Sequence, residues 1–251
     1  MITDPQGTIL ALFVAFCRVG GCLMVLPGFS SARVPPQVRV FAALGLSMAV
    51  LPMVWDIIYP RVTGGTQLSF ITLIVTESLI GVMYGMIARF FTLGLQFTGT
   101  VLTQMIGFNS PPAPDVLEDV AENQLTNLIS FGGLMVLFAM DFHHMVFKAL
   151  IESYVQMPVG GPMQVQKLLI TLTDTVQTTT MIMLRLASPF LIYGLMFNIS
   201  IGMINKMAQQ IPVFFISTPY LIAGGLFMLY LSIAAMLKQF ADAFPSIFLG
   251  M

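Results

Sequence analysis

Charge is what this chain has least of. Only 8% of its 251 residues are Asp, Glu, Lys or Arg, against roughly a quarter in soluble domains, so an ordinary water-facing surface cannot be assembled from them. With 57% apolar residues and a mean hydropathy of +0.91, a soluble monomer would expose too much apolar surface, because domains of this length bury only about three quarters of what the chain presents. The chain is expected in a membrane. Ten basic residues against eleven acidic ones give a net charge of -1, which excludes the basic footprint of nucleic-acid binding. The two cysteines, Cys17 and Cys22, lie in one apolar run at a spacing that fits neither CxxC redox chemistry nor structural zinc; they read as small apolar helix residues. A Walker loop, a nucleophile elbow and HExxH are all missing, so neither an enzyme nor a cofactor is expected. No basic n-region precedes Asp4, and the first apolar stretch is expected to be retained.

What the chain has in abundance is uncharged apolar sequence. A helix needs about 20 mainly apolar residues to cross a hydrocarbon core. Charge-free runs extend from Val40 to Trp55, Phe90 to Pro114, Asn123 to Met140, Leu186 to Asn205 and Met207 to Leu237; Thr8 to Leu26 carries only Arg18, and Leu68 to Ala88 only Glu77. The expectation is an all-α integral membrane protein of roughly six to eight long helices. Turn chemistry divides them at Pro27 to Arg39, at Asp56 to Gln67 with Pro60, Gly64 and Gly65, and at Pro158 to Pro162. The longest polar connection, Asn109 to Asn123, gathers Pro111, Pro112 and Pro114 and then Asp115, Glu118, Asp119 and Glu122, with Asp115 and Glu118 spaced like a helix start. From Leu68 to Phe108 no proline intervenes, and an unbroken helix would be about 60 Å long, twice the hydrocarbon thickness. Either it folds back near Gly94 or Gly99, or it projects beyond the bilayer. Leu168 to Lys206, rich in threonine and carrying Arg185 and Pro189, poses the same choice. In a six-span arrangement Arg33, Arg39, Arg89 and Lys206 oppose Arg61, Lys148, Lys167 and Lys238. This tie sets no orientation and fits a subunit assembled into something larger.

Polar residues inside the apolar runs are the candidate functional groups. A charge at mid-bilayer costs roughly 2.5 to 3.5 kcal/mol, so Arg18, Glu77, Arg89, Asp141 and Arg185 are expected to face protein or water. Glu77, Gly81, Gly85 and Arg89 step at intervals of four along one ridge containing GxxxG, a pattern that lets helices approach closely. The plain reading is helix packing, and the sharper one a conduction or gating role for Glu77. Gly194, Asn198, Gly202 and Lys206, with Asn205 beside them, form a second ridge, and Gln96, Thr100 and Gln104 a third. Three polar ridges imply extensive contact with neighbouring subunits. Asp141, His143 and His144 invite a metal or proton-relay reading, but nothing else in the sequence completes a ligand set, and an interfacial helix end is the plainer reading. Twenty methionines fill irregular gaps and re-pack around varied partners, which makes Met105, beside the proline loop, a candidate for a soft seal around a polypeptide.

Taken together, these residues resemble the FliR family, the export-gate membrane subunit of the flagellar type III secretion apparatus and its injectisome relatives. The likeness runs through Arg18-Val19, Pro27, Arg33 to Arg39 and Leu51-Pro52, then Glu77, Gly81, Gly85, Gln104 and Gly107, then Asp141 to His144, Ser153 and Pro158-Val159-Gly160. It is most specific over Asn198, Gly202, Asn205, Lys206, Met207, Ala208 and Gln210-Ile211 ahead of Phe214 and Pro219. The chain departs from the family at Gln209, where proline is usual, and at Asn109-Ser110-Pro111-Pro112, where an Asp-Pro pair is common.

The resemblance implies one export-gate domain over residues 1–251, FliP-like over about residues 1–160 and FliQ-like over about 161–251, with long helical hairpins partly raised out of the bilayer. Implied partners are FliP and FliQ, with FlhB and FlhA alongside, and unfolded flagellar proteins in transit. The implied setting is the lipid of the bacterial inner membrane at the flagellar basal body, with export driven by proton-motive force and assisted by an ATPase. By the same resemblance Met105, Gly107, Phe108, Asn109, Ser110, Pro111, Pro112, Pro114 and Asp115 are candidates for a plug that closes the resting channel; the alternative is an ordinary surface connection. Arg18, Glu77, Gly81, Gly85, Arg89, Gly194, Asn198, Gly202, Asn205 and Lys206 are the candidate subunit-packing residues. An injectisome homologue and a secondary transporter remain the competing functions.

Overall fold

The computed structural model of the chain describes residues 4–30, 34–63, 67–108, 113–114, 121–161 and 165–249. Among them run the helices α1 (Pro5–Val25), α2 (Pro36–Thr63), α3 (Gln67–Met105), α4 (Gln124–Ala139), α5 (Phe142–Gln156), α6 (Val165–Met207) and α7 (Val213–Leu249). Two-residue strands β1 (Ala113–Pro114) and β2 (Ala121–Glu122) pair antiparallel, Ala113 opposite Glu122 and Pro114 opposite Ala121. Five helices, α1, α2, α3, α6 and α7, contain stretches long and apolar enough to span a membrane, or up to six spans if α4 and α5 count as one broken crossing. The fold is that of an all-α integral membrane protein.

Local chemistry explains where helices begin and why several run past the expected breaks. At the start of α1, Asp4 accepts a hydrogen bond from the Gly7 amide at 3.2 Å and Pro5 occupies the first turn, where its missing N–H costs nothing. α3 does not fold back: it is continuous for 39 residues, about 58 Å at 1.5 Å per residue. Gly94 and Gly99 lie inside it as contact points, because a Cβ on Gly94 would run into Thr179 and one on Gly99 would sit 3.1 Å from Thr126. α6 is likewise continuous for 43 residues through Pro189, and α2 passes through both Pro52 and Pro60. Proline removes one backbone donor, a loss that spanning helices absorb through neighbouring groups. The run from Met207 to Leu237, by contrast, is interrupted by a turn in which Ile211 N–H bonds the Ala208 carbonyl at 3.1 Å. The expected helix start at Asp115 and Glu118 lies outside the described residues.

The chain divides into two units. The first comprises Met1–Phe90, Asp141–Val176 and Phe248–Met251. Within it α1 runs antiparallel to α2, with Gly7 against Tyr59 and Thr63, and parallel to α3, with Gly81 and Gly85 against the backbone of Arg18 and Cys22. Its core gathers Ala11, Val14 and Ala15 of α1, Val50, Val54 and Ile58 of α2, and Tyr154 of α5. The second unit comprises Phe91–Met140 and Gln177–Ile247. There Phe91 stacks on Phe240 with centroids 4.4 Å apart and meets Phe244 edge-on at 5.2 Å, while a Cβ on Gly133 of α4 would collide with Leu95 of α3. Lipid tails are as apolar as these side chains and supply little drive for helices to associate. Close glycine-mediated packing is what joins them.

Candidate functional site

In the first unit the charges of the apolar runs meet one another. Arg18, fully buried on α1, donates from Nε to Glu77 Oε2 at 2.6 Å and from Nη2 to Glu77 Oε1 at 3.0 Å, a bidentate pair of the strong kind. Nη1 reaches Ser153 Oγ at 3.0 Å and Nη2 the Met157 carbonyl at 3.0 Å. Ser153 in turn donates to the Leu150 carbonyl at 2.6 Å, and the Arg18 guanidinium lies 4.0 Å from the centre of the Tyr154 ring. Parallel packing of α1 and α3 through Gly81 and Gly85 brings the two charged side chains within reach. Both carboxylate oxygens of Glu77 are engaged by Arg18, so the group acts as a tie between α1, α3 and α5. Arg18, Glu77, Gly81 and Gly85 are thus all used within the chain. Arg89, one turn beyond Gly85, is half-buried.

The base of the proline loop belongs to the second unit. α3 ends in a Schellman motif: Gly107 takes φ +68°, its N–H bonds the Gln104 carbonyl at 3.2 Å and Phe108 N–H bonds the Thr103 carbonyl at 3.0 Å. Only glycine adopts that backbone without a penalty. This end of α3 is seated between α6 and α7, since a Cβ on Gly194 would come within 2.8 Å of the Met105 carbonyl and one on Gly225 would enter Ile106. Asn123 closes the loop from its other end. Its Oδ1 caps α4 by accepting from Leu125 N–H at 3.0 Å, and its Nδ2 donates to the Phe108 carbonyl at 2.7 Å. One amide therefore joins the end of α3 to the beginning of α4, and the β1–β2 pairing holds the two arms of the loop together further out. Of the plug candidates, Met105, Gly107 and Phe108 are partly buried and Pro114 lies in β1. Asn109, Ser110, Pro111, Pro112 and Asp115 lie outside the described residues.

The other candidates sit differently. On α6 Gly194 is buried, whereas Asn198, Gly202 and Lys206 are exposed and Asn205 is half-buried; among the described residues nothing approaches within 4 Å of a Cβ on Gly202. Asp141, His143 and His144 come together at the start of α5, their ligand atoms within 4.8 Å of one another. Sequence reasoning reached Ser153 only through the family likeness and did not single out Tyr154 or the Asn123 amide. A signal for a further acceptor such as Ser153 existed: a guanidinium presents five N–H donors, more than the Glu77 carboxylate alone can satisfy.

Residues 9–247 match the family of bacterial export proteins, family 1. The chain is similar to the flagellar biosynthetic protein FliR of Caulobacter vibrioides, 24% identical over 92% of this chain and 91% of the relative. The corresponding protein of Escherichia coli is 22% identical over 85% of this chain and 80% of its own length. The secretion system apparatus protein SsaT of Salmonella typhimurium is 26% identical over 84% and 82% respectively.

Proposed function

The chain belongs to the bacterial export proteins, family 1, the FliR family, and from that premise we propose that it is the export-gate subunit of a flagellar type III secretion system. In this reading it sits in the bacterial inner membrane at the basal body and forms, with FliP and FliQ and next to FlhB and FlhA, the channel that passes unfolded flagellar proteins. Residues up to about 160 take the FliP-like role and those after it the FliQ-like role. The observation that carries the reading is the family match over residues 9–247. The geometry supports it, because an export conduit needs firmly held helices around a loop that can close a passage. The seated end of α3 and the Asn123 amide fix the base of such a loop. No chemistry is asked of the chain: its residues position a closure and hold helices together.

The test is permeability of resting membranes that contain the assembled channel. Deleting residues 110–114 should make them leaky to small solutes. Asn123→Asp keeps an N-cap acceptor for α4 but removes the donor to the Phe108 carbonyl, and should give a smaller leak in the same direction. Unchanged permeability in both variants would overturn the plug. Similarity to SsaT favours a second reading, an injectisome gate of the same architecture. Restoration of motility in a strain lacking its own FliR distinguishes the flagellar role.

A further inference from the structure

The first turn of α5 carries a group of side chains that the export reading leaves unused. Asp141 occupies the N-cap position, yet its side chain caps nothing and its backbone is left-handed at φ 57°, the only positive φ at a non-glycine residue among those described. An aspartate at a helix start ordinarily accepts from an amide of the first turn. Here Oδ1 instead lies 3.4 Å from His144 Nδ1 and 4.0 Å from His143 Nε2. The two imidazoles are themselves neighbours, with ring centres 4.2 Å apart.

These separations have a chemical meaning. Two atoms bound to one tetrahedral zinc at about 2.0–2.1 Å stand about 3.3–3.4 Å apart. The Asp141–His144 distance already has that value, the Asp141–His143 distance of 4.0 Å exceeds it by about 0.6 Å, and all three ligand atoms lie within 4.8 Å of one another, so side-chain rotations that move the imidazole nitrogens by up to about 1.4 Å close the set on one ion. Two nitrogens and one carboxylate oxygen form a donor set for zinc, nickel or copper, whereas calcium and magnesium ask for six or more oxygens. Asp141 and His144 are about 70% exposed, so the fourth position opens outward to water. The nearest cation along the helix, Lys148, is paired to Glu152 at 3.9 Å.

We propose that Asp141, His143 and His144 form a three-ligand site for a divalent transition-metal ion, with water as the fourth ligand. Bound metal would hold the left-handed start of α5 in place by joining the residue before the helix to its first turn. The proposal is independent of the export reading, because it rests on ligand geometry alone. To test it, the full-length chain is purified from membranes with its accompanying subunits, using an affinity tag free of histidine, and titrated with zinc ions. X-ray absorption at the zinc edge then reports the ligands. About one zinc per chain with imidazole scattering is expected, and the His143→Gln/His144→Gln double variant should bind at least about tenfold more weakly. Absence of stoichiometric zinc at micromolar concentration, or equal binding by the double variant, would overturn the site. His144→Ala alone, at an exposed position, guards against misfolding of the double variant and should weaken binding in the same direction. Asp141→Gly retains the left-handed backbone while removing the carboxylate. It should fold and lose affinity about tenfold, and undiminished affinity would remove the carboxylate from the ligand set.

Discussion

Arg18 and Glu77 set the energetics of the first unit at the scale of single residues. Each is essentially fully buried, and removing two charges from water costs several kcal/mol per ion before their attraction is counted. Together with Ser153 Oγ and the Met157 carbonyl, the pair satisfies four of the arginine's donor positions. Loss of one partner should therefore be far worse than loss of both. Glu77→Ala strands a buried guanidinium and should destabilise the folded chain by about 3–5 kcal/mol. Replacing both residues, Arg18→Met with Glu77→Leu, should cost clearly less than Glu77→Ala alone. Thermal unfolding of the full-length chain in detergent separates the three proteins, and a Glu77→Ala protein as stable as its parent would mean that the pair does not bear on folding.

Among whole elements, the separation of α1 and α3 is set by Gly81 and Gly85. A Cβ on Gly81 would sit inside the Arg18 carbonyl, and backbone cannot yield as a flexible side chain can. Gly81→Ala should cost about 1–3 kcal/mol through overpacking, read as a lowered unfolding temperature. A Cβ on Gly45 of α2 would meet nothing within 4 Å among the described residues, and Gly45→Ala should be neutral or gain up to about 1 kcal/mol from helix propensity. Equal effects at the two positions would contradict the close approach. The GxxxG spacing made this contact legible in the sequence, and charge-free runs made most of the helices legible. Two helix ends rest on local devices that the charge-free runs did not mark: Asp4 and Pro5 open α1 ahead of Thr8, and the glycine at position 107 closes α3. For α3 and α6 the sequence left open a fold-back or an overlong helix, and the overlong helix is what forms; the turn expected from Asp56 was misplaced because proline punctuates soluble helices strongly, whereas α2 runs through Pro60 to Thr63. In this chain Gly94 and Gly99 pack against Thr179 and Thr126, and Pro52, Pro60 and Pro189 are carried inside helices. The donor surplus of Arg18 asked for further acceptors, but which residues of α5 meet it was not legible from spacing, because the contact lies 135 residues away in the chain. Asp141, His143 and His144 were grouped from the sequence, but the left-handed backbone at Asp141 that goes with their approach is not announced by spacing.

For the molecule as a whole, the question is what covers α6 and α7. Only 22% of the apolar window of each is buried inside the chain. Lipid can cover exposed Met196, Ile199 and Met203, but it offers no hydrogen bond to Asn198 on the same stretch of helix. An amide facing hydrocarbon is costly, whereas one facing another helix finds a partner and contributes on average about 0.6 kcal/mol. Gly202 adds a surface without a Cβ one turn further on, suited to close approach by a second backbone. These two features favour a neighbouring subunit over lipid at this ridge, in line with the proposed assembly with FliP and FliQ. Asn198→Leu combined with Gly202→Leu should leave the unfolding temperature of the isolated chain within a degree or two, on the order of the effect of ordinary surface changes, because among the described residues nothing lies within 4 Å of a Cβ on Gly202. The same double variant should lower recovery of FliP and FliQ in co-purification by about tenfold, the equivalent of roughly 1.4 kcal/mol. Full recovery of both partners would assign the ridge to lipid and leave the surface that binds them elsewhere on the chain.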